Sequence, residues 1–289
     1  MPPAVEQATA HADHVARGER FEFGENWRRF LEVLDDERVE EAERSLREMI
    51  GVDSLEGRRF LDVGSGSGLF SLAARRLGAE RVHSFDFDPQ SVACTRELRR
   101  RYFEDDAAWI VEEGSVLDEE FVARLGTWDI VYSWGVLHHT GDMWRAMDIA
   151  QARVADDGLL FVSIYNDQGG RSRLWRAVKR TYNQLPAALR PLLTLVVMGP
   201  RELLHFARDL ALGKPMRYVR RWTDYKRSRG MSAMHDIVDW MGGYPFEVAK
   251  PEAVFDFFQD RGFRLERLAT HGGGMGCNQY VFRRSGPAR

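Results

Sequence analysis

Apolar positions along the chain switch repeatedly between two patterns. Phe60, Leu61 and Val63 form a short apolar run, and Leu69 to Leu77 then repeats at helical spacing and closes on Gly78, a helix-ending residue. Further short runs are read as strands: Arg81 to Asp86, Trp109 to Val111, Asp129 to Ser133 and Leu159 to Tyr165. Helical patterns over Ser91 to Phe103 and Asp142 to Val154 lie between them. Such a series of β/α units predicts a parallel, doubly wound sheet. The alternation stops after Tyr165. Residues 166–249 read instead as helices over Leu174 to Tyr182, Ala187 to Met198, Arg201 to Leu212 and Tyr218 to Arg227, punctuated by Pro186, Pro191, Pro200 and Pro215. A helix over Pro251 to Gln259 and strands over Phe263 to Thr270 and Gln279 to Arg283 complete the chain.

Upstream of the first strand, Phe21 to Leu31 is dense in aromatic residues, and Phe30, Leu31, Val33 and Leu34 give a helical apolar face. A second helix is predicted over Glu37 to Ile50, while residues 1–20 read as disordered or loosely attached. Four regions are therefore expected: an N-terminal helical lid (1–58), a core (59–165), a helical insert (166–249) and a C-terminal return to the core (250–289).

With 289 residues, 44% of them hydrophobic, the chain can fill one α/β domain with an appended region but not two complete domains. Cys94 and Cys277 are its only cysteines, with no metal-ligand spacing, so neither a disulfide framework nor a metal site is expected. A polar N-terminus without an apolar signal core, and a longest apolar run (Leu192 to Met198) too short to span a bilayer, point to a cytoplasmic protein. The formal net charge of −3 hides an asymmetry. Residues 1–50 carry 13 acids against 7 Lys/Arg, whereas residues 165–230 carry 15 Lys/Arg against 4 acids.

The first strand runs into a glycine turn, Asp62-x-Gly64-x-Gly66-x-Gly68. A dinucleotide fingerprint would need glycine at position 69, which is Leu69. An acid two residues before the first glycine repels a pyrophosphate but can hold an ammonium group. The pattern resembles motif I of the class I S-adenosylmethionine-dependent methyltransferases, whose cofactor has an amino-acid end and no phosphate. The resemblance implies that Asp62, Gly64, Ser65, Gly66 and Gly68 seat the methionine end of that cofactor. Asp86, twenty residues beyond Gly66, stands where a carboxylate accepts hydrogen bonds from ribose hydroxyls. Phe87 is expected against the adenine, and Asp88-Pro89 as the cap and first turn of the next helix. Ser115 and Val116 are expected adenine neighbours, although Ser115 departs from the acid common there, with Asp118 as a substitute. Ser133-Trp-Gly-Val-Leu-His-His139 resembles motif IV of the methyltransferases that include the ubiquinone-biosynthesis enzymes, which would set Ser133 and Trp134 beside the reacting methyl group. The family also implies a seven-stranded sheet with an antiparallel last strand, and a lid in which Phe23, Asn26 and Trp27 touch the ligand.

Methyl transfer from a sulfonium is an in-line displacement, so the protein mainly aligns the acceptor and removes its proton where needed. His138 and His139 follow the fourth strand and qualify as base by position, at least one of the two being expected to cap the following helix or pack under it. His235 is a third candidate, because Asp239 shares its helical face and could orient it. The basic insert favours a small anionic acceptor through steering, with O-methylation ahead of N- or S-methylation. It also allows contact with a membrane surface, and nucleic acid ranks lower because the cations are dispersed over helices. The rival readings are a methyltransferase acting on RNA or protein and a non-methylating S-adenosylmethionine-binding protein. Oligomeric state is left open.

Overall fold

The computed structural model describes residues 3–104, 106–223, 233–271 and 276–285. Three helices, not two, precede the first strand: α1 (Pro3–Ala16), α2 (Phe23–Glu32) and α3 (Asp36–Ile50). The expectation of a loose N-terminus is corrected, because His11 of α1 is buried against Asp88 and Phe87. Local chemistry sets the ends of α3: the Asp35 carboxylate accepts from the Arg38 amide, and Gly51 closes the helix in the left-handed region.

The core alternates β1 (Arg59–Val63), α4 (Leu69–Arg76), β2 (Arg81–Asp86), α5 (Pro89–Tyr102), β3 (Trp109–Glu113), α6 (Glu119–Arg124), β4 (Trp128–Trp134), α7 (Met143–Gln151) and β5 (Val154–Tyr165). After the insert come α12 (Pro251–Gln259), β6 (Phe263–Ala269) and β7 (Cys277–Arg284). The strands form one seven-stranded sheet in the order β3-β2-β1-β4-β5-β7-β6, with β7 antiparallel to both neighbours. This is the expected Rossmann-like sheet. One face packs under α3, α4 and α5 through Phe60, Leu72 and Leu98, the other under α6, α7 and α12 through Leu61, Met147 and Phe258. Strand order reverses between β1 and β4, and the crevice beyond their carboxyl ends is where open α/β sheets take ligands.

The insert contributes α8 (Gly170–Gln184), α9 (Arg190–Ala211), α10 (Pro215–Thr223) and α11 (Ala233–Gly242). The predicted break at Pro200 is absent, and α9 is one helix of 22 residues. Gly199 precedes that proline, so there is no side chain to crowd the ring at the position that usually forces a helix to stop. Phe21, Tyr182, Met198 and Met241 form a small third core that joins the N-terminal segment to α8, α9 and α11. Lys179 is buried within this cap, where its ammonium group donates to the Trp240 carbonyl and sits 4.5 Å from the Trp240 ring centre. Among the described residues, no helix is long and apolar enough to cross a membrane.

Candidate active site

A cavity of about 1230 Å³ opens at the carboxyl ends of β1, β2, β4 and β5. The Gly64–Gly68 turn forms its floor, with all three glycines at positive φ. Two of them show why no side chain is tolerated. A Cβ on Gly64 would lie 2.3 Å from the Val136 side chain, and one on Gly66 would lie 3.0 Å from Trp27 Nε1. Trp27 of α2 thus lies directly over the turn.

The turn is not the open cradle of backbone N–H groups that its glycines suggest. The Gly64 and Ser65 amides donate to the Phe85 carbonyl, Gly68 donates to the Ser65 carbonyl, and Gly66 donates to Asp86 Oδ2 at 2.9 Å. Left-handed glycines at alternate positions fold the turn back onto β2, so the Gly64, Ser65, Gly66 and Gly68 donors are occupied within the protein. A pyrophosphate would need those donors, whereas a ligand that presents its own donors would not. This agrees with the argument from Asp62 and Leu69.

Each oxygen of Asp86 accepts one amide, Gly66 on one side and Asp88 on the other, both at 2.9 Å. A carboxylate has about four acceptor sites, which leaves two for ligand hydroxyls. Burial and the neighbouring Asp88 push the Asp86 pKa up to about 6. Burial pushes Asp62 up to about 7, although the Ser71 hydroxyl donates to it. A buried acid, Asp62, and a half-buried one, Asp86, thus flank the turn, each suited to a ligand that brings hydroxyl or ammonium hydrogens.

Next to the turn, Val136 leads into the 3₁₀ segment Leu137–His139. His139 lines the cavity, and its Nδ1 is 2.6 Å from the Pro245 carbonyl oxygen. A carbonyl only accepts, so Nδ1 carries the proton and Nε2 carries the lone pair. Burial lowers its pKa to about 3, so the ring is neutral at physiological pH. His138 does not share this position. It is fully buried, its ring 4.0 Å from that of Tyr165, and burial drives its pKa well below the ordinary value.

The cavity therefore brings together Asp62, Gly64, Ser65, Gly66, Asp86, Phe87, Ser115, Val116, Trp134, Trp27 and His139. Three expected residues stand elsewhere. Gly68 backs onto Thr95 of α5, whose Cα would lie 2.8 Å from an added Cβ. The Ser133 hydroxyl donates to the Val63 carbonyl and ties β4 to β1. His138 is sealed beneath Tyr165, out of reach of an acceptor. The side chains of His235 and Asp239 lie outside the described residues. Asp118, the proposed substitute at the adenine, is instead the N-cap of α6 and accepts from the Phe121 amide.

Arg20 escaped the sequence reading. Its guanidinium lies 5.0 Å above the Phe87 ring and donates to the carbonyls of His139 (3.1 Å) and Thr140 (3.3 Å). It bridges the two sides of the cavity. Asp88 makes a second latch, accepting from the Gly24 amide of α2 at 2.7 Å while capping α5. A lone arginine in a polar terminus carries no motif; the only signal was the aromatic density just after it. Arg201 of α9, Arg267 and His271 also line the cavity, as do Glu37, Glu41, Glu48 and Glu202.

Residues 28–199, more than half of the chain, match the family model described as "Methyltransferase domain". Curated relatives match shorter stretches. A ribosomal protein L11 methyltransferase from Alteromonas mediterranea is 48% identical over 56 residues, 19% of this chain and 19% of that relative. One from Macrococcus caseolyticus is 32% identical over 108 residues, 37% of this chain and 32% of that relative. The chain thus spans less than a third of the length of the relatives it matches. The magnesium protoporphyrin IX methyltransferase from Synechocystis PCC 6803, solved with bound SAH, superposes with a TM-score of 0.53 at 14% identity, covering 90% of this chain and 94% of that one.

Proposed function

The chain belongs to the methyltransferase-domain family and is a class I S-adenosylmethionine-dependent methyltransferase; from that premise we propose that it methylates an oxygen of a small anionic metabolite. The observation that carries this reading is one cavity that brings the glycine turn and Asp86 together with His139, Arg201, Arg267 and His271.

In this reading Asp62 and the Gly64–Gly66 backbone hold the methionine end of the cofactor. Asp86 uses its two remaining acceptor sites for the ribose hydroxyls, while Phe87, Ser115 and Val116 flank the adenine. Trp27 and Arg20 close the N-terminal helices over the ligand and exclude water. S-adenosylmethionine, when bound, supplies a methyl group activated by its sulfonium. His139 takes the proton of an acceptor hydroxyl at Nε2, and the Pro245 carbonyl stabilises the resulting imidazolium through Nδ1–H. Arg201, Arg267 and His271 meet the negative charge of the acceptor.

Ribosomal protein L11 methyltransferases are named for a protein acceptor, but the match covers less than a third of those chains. The experiment is a labelled-methyl assay against host metabolite fractions separated by charge, with total protein and small RNA as parallel acceptors. Label in the anionic small-molecule fraction is expected. Label confined to protein or RNA would overturn the acceptor class, and cofactor binding without any methylated product would support a non-methylating role.

A further inference from the structure

Helix α9 carries apolar residues on its outward side as well as on the side packed in the third core. Leu192, Leu195, Val196, Leu203, Phe206 and Leu210 recur at helical spacing along one side, and all are exposed, Leu195 and Leu203 at 67%. The side turned toward the protein is mixed: Met198 is buried in the third core with Leu193 and Val197 packed against it, Glu202 and His205 line the cavity, and Asp209 is buried. The surface continues onto α10 with exposed Met216 and Val219. A soluble helix normally keeps its outward side polar, and an apolar face of this length exceeds the scattered exposed leucines of ordinary surfaces.

Charge narrows what can cover this face. Arg208, Lys214, Arg217 and Arg220 are all exposed beside the apolar residues. Among the described residues from 190 to 220, the acids are Glu202 and Asp209, and both turn inward. A second copy packed symmetrically on the face would set this cationic border against itself. An anionic lipid surface would accept both features, taking the leucines into the headgroup–acyl boundary and pairing the cations with lipid phosphates. Neither helix is long and apolar enough to cross the bilayer, so the geometry is that of a helix lying in the interface.

We propose that the outward face of α9 and α10 docks the enzyme on an anionic phospholipid surface. The reverse side of α9 lines the cavity, so docking sets the acceptor site about one helix diameter, roughly 10 Å, from the headgroups. The inference stands on this face alone and does not depend on the acceptor.

The test is co-sedimentation of the full chain with vesicles of phosphatidylcholine alone or mixed with phosphatidylglycerol. Partitioning onto the phosphatidylglycerol vesicles should be about tenfold stronger or more, and should weaken with added salt. Leu195→Asp combined with Leu203→Asp should reduce it about tenfold or more, and Arg217→Glu combined with Arg220→Glu should remove the preference for anionic lipid. These positions are exposed and outside the cavity, so unchanged S-adenosylhomocysteine affinity in calorimetry certifies each variant as folded. Equal or absent binding to the two vesicle types would overturn the proposal. So would a wild-type dimer in sedimentation that Leu203→Asp converts to monomer, which would assign the face to a second copy.

Discussion

Asp86→Asn separates the two tasks of the carboxylate at the end of β2. In the wild type each oxygen accepts an amide at 2.9 Å, and two acceptor sites remain for the cofactor. The asparagine amide keeps one acceptor oxygen but aims an NH₂ group at either the Gly66 or the Asp88 N–H. Losing one such bond costs about 1–3 kcal/mol of folding stability. An opposing effect nearly cancels it. Holding a carboxylate ionised where its pKa has risen from 3.8 to about 6 costs the folded state about 3 kcal/mol at neutral pH, and the neutral amide escapes that penalty. Apo stability at pH 7.5 should therefore change little. Affinity has no such offset, because the ribose hydroxyls lose a charge-assisted partner worth about 2–3 kcal/mol, or roughly 30- to 150-fold in Kd. Calorimetry with S-adenosylhomocysteine, paired with thermal unfolding of the apo protein, reads both quantities. A Kd within threefold of wild type would refute the ribose assignment. A melting point lowered by more than about 6 °C would instead make Asp86 chiefly an anchor of the turn.

Gly68→Ala should destabilise the fold by about 2–4 kcal/mol, because the left-handed backbone (φ 82°) and a Cβ 2.8 Å from Thr95 Cα add their penalties. Gly126→Ala, left-handed but with open space around it, should cost only about 1 kcal/mol; equal losses in urea unfolding would refute the packing argument. His139→Gln should lower turnover on a hydroxyl acceptor by about 10²–10⁴-fold with cofactor affinity within threefold, and His138→Gln should lower it less than tenfold per folded molecule. If both variants turn over alike, neither ring is the base. The folded pKa of His139 is depressed from 6.5 to about 3, so its contribution to stability is present above pH 6.5 and is lost as pH falls through that window. His139→Gln should therefore flatten acid destabilisation by about 1.4 kcal/mol per pH unit between pH 6 and 4, relative to wild type; an unchanged slope would contradict the burial argument.

The sheet was legible because its period was. Apolar runs separated by helical patterns define β1 to β5 without reference to tertiary contacts, and the Asp88-Pro89 cap appears where the local rule places it. The floor of the cavity was legible for a similar reason, since a glycine turn followed at fixed spacing by Asp86 is a short-range pattern. What stayed hidden depends on long-range packing. His138 and His139 are equivalent in sequence, and only the covering of Tyr165 over one and the Pro245 carbonyl beside the other separates them. Arg20 lies 119 residues from the carbonyl it holds. Pro200 reads as a helix breaker in sequence, yet α9 runs through it with Gly199 before the ring.

The depressed pKa of His139 bears on the acceptor. A base that holds a proton only near pH 3 gives little driving force for deprotonating a neutral hydroxyl at pH 7. The depression comes mainly from burial, with Lys179 and Arg20 adding positive charge nearby. A negative charge entering the cavity opposes both causes, because it stabilises the imidazolium directly and offsets the two cations. An anionic acceptor would then raise the basicity of the ring that deprotonates it, whereas a neutral analogue of the same shape would bind without doing so. The preference for an anion would thus appear in kcat as well as in KM. A rim that merely attracts anions would change KM alone, so the division of the effect between the two constants distinguishes steering at Arg201, Arg267 and His271 from activation of His139.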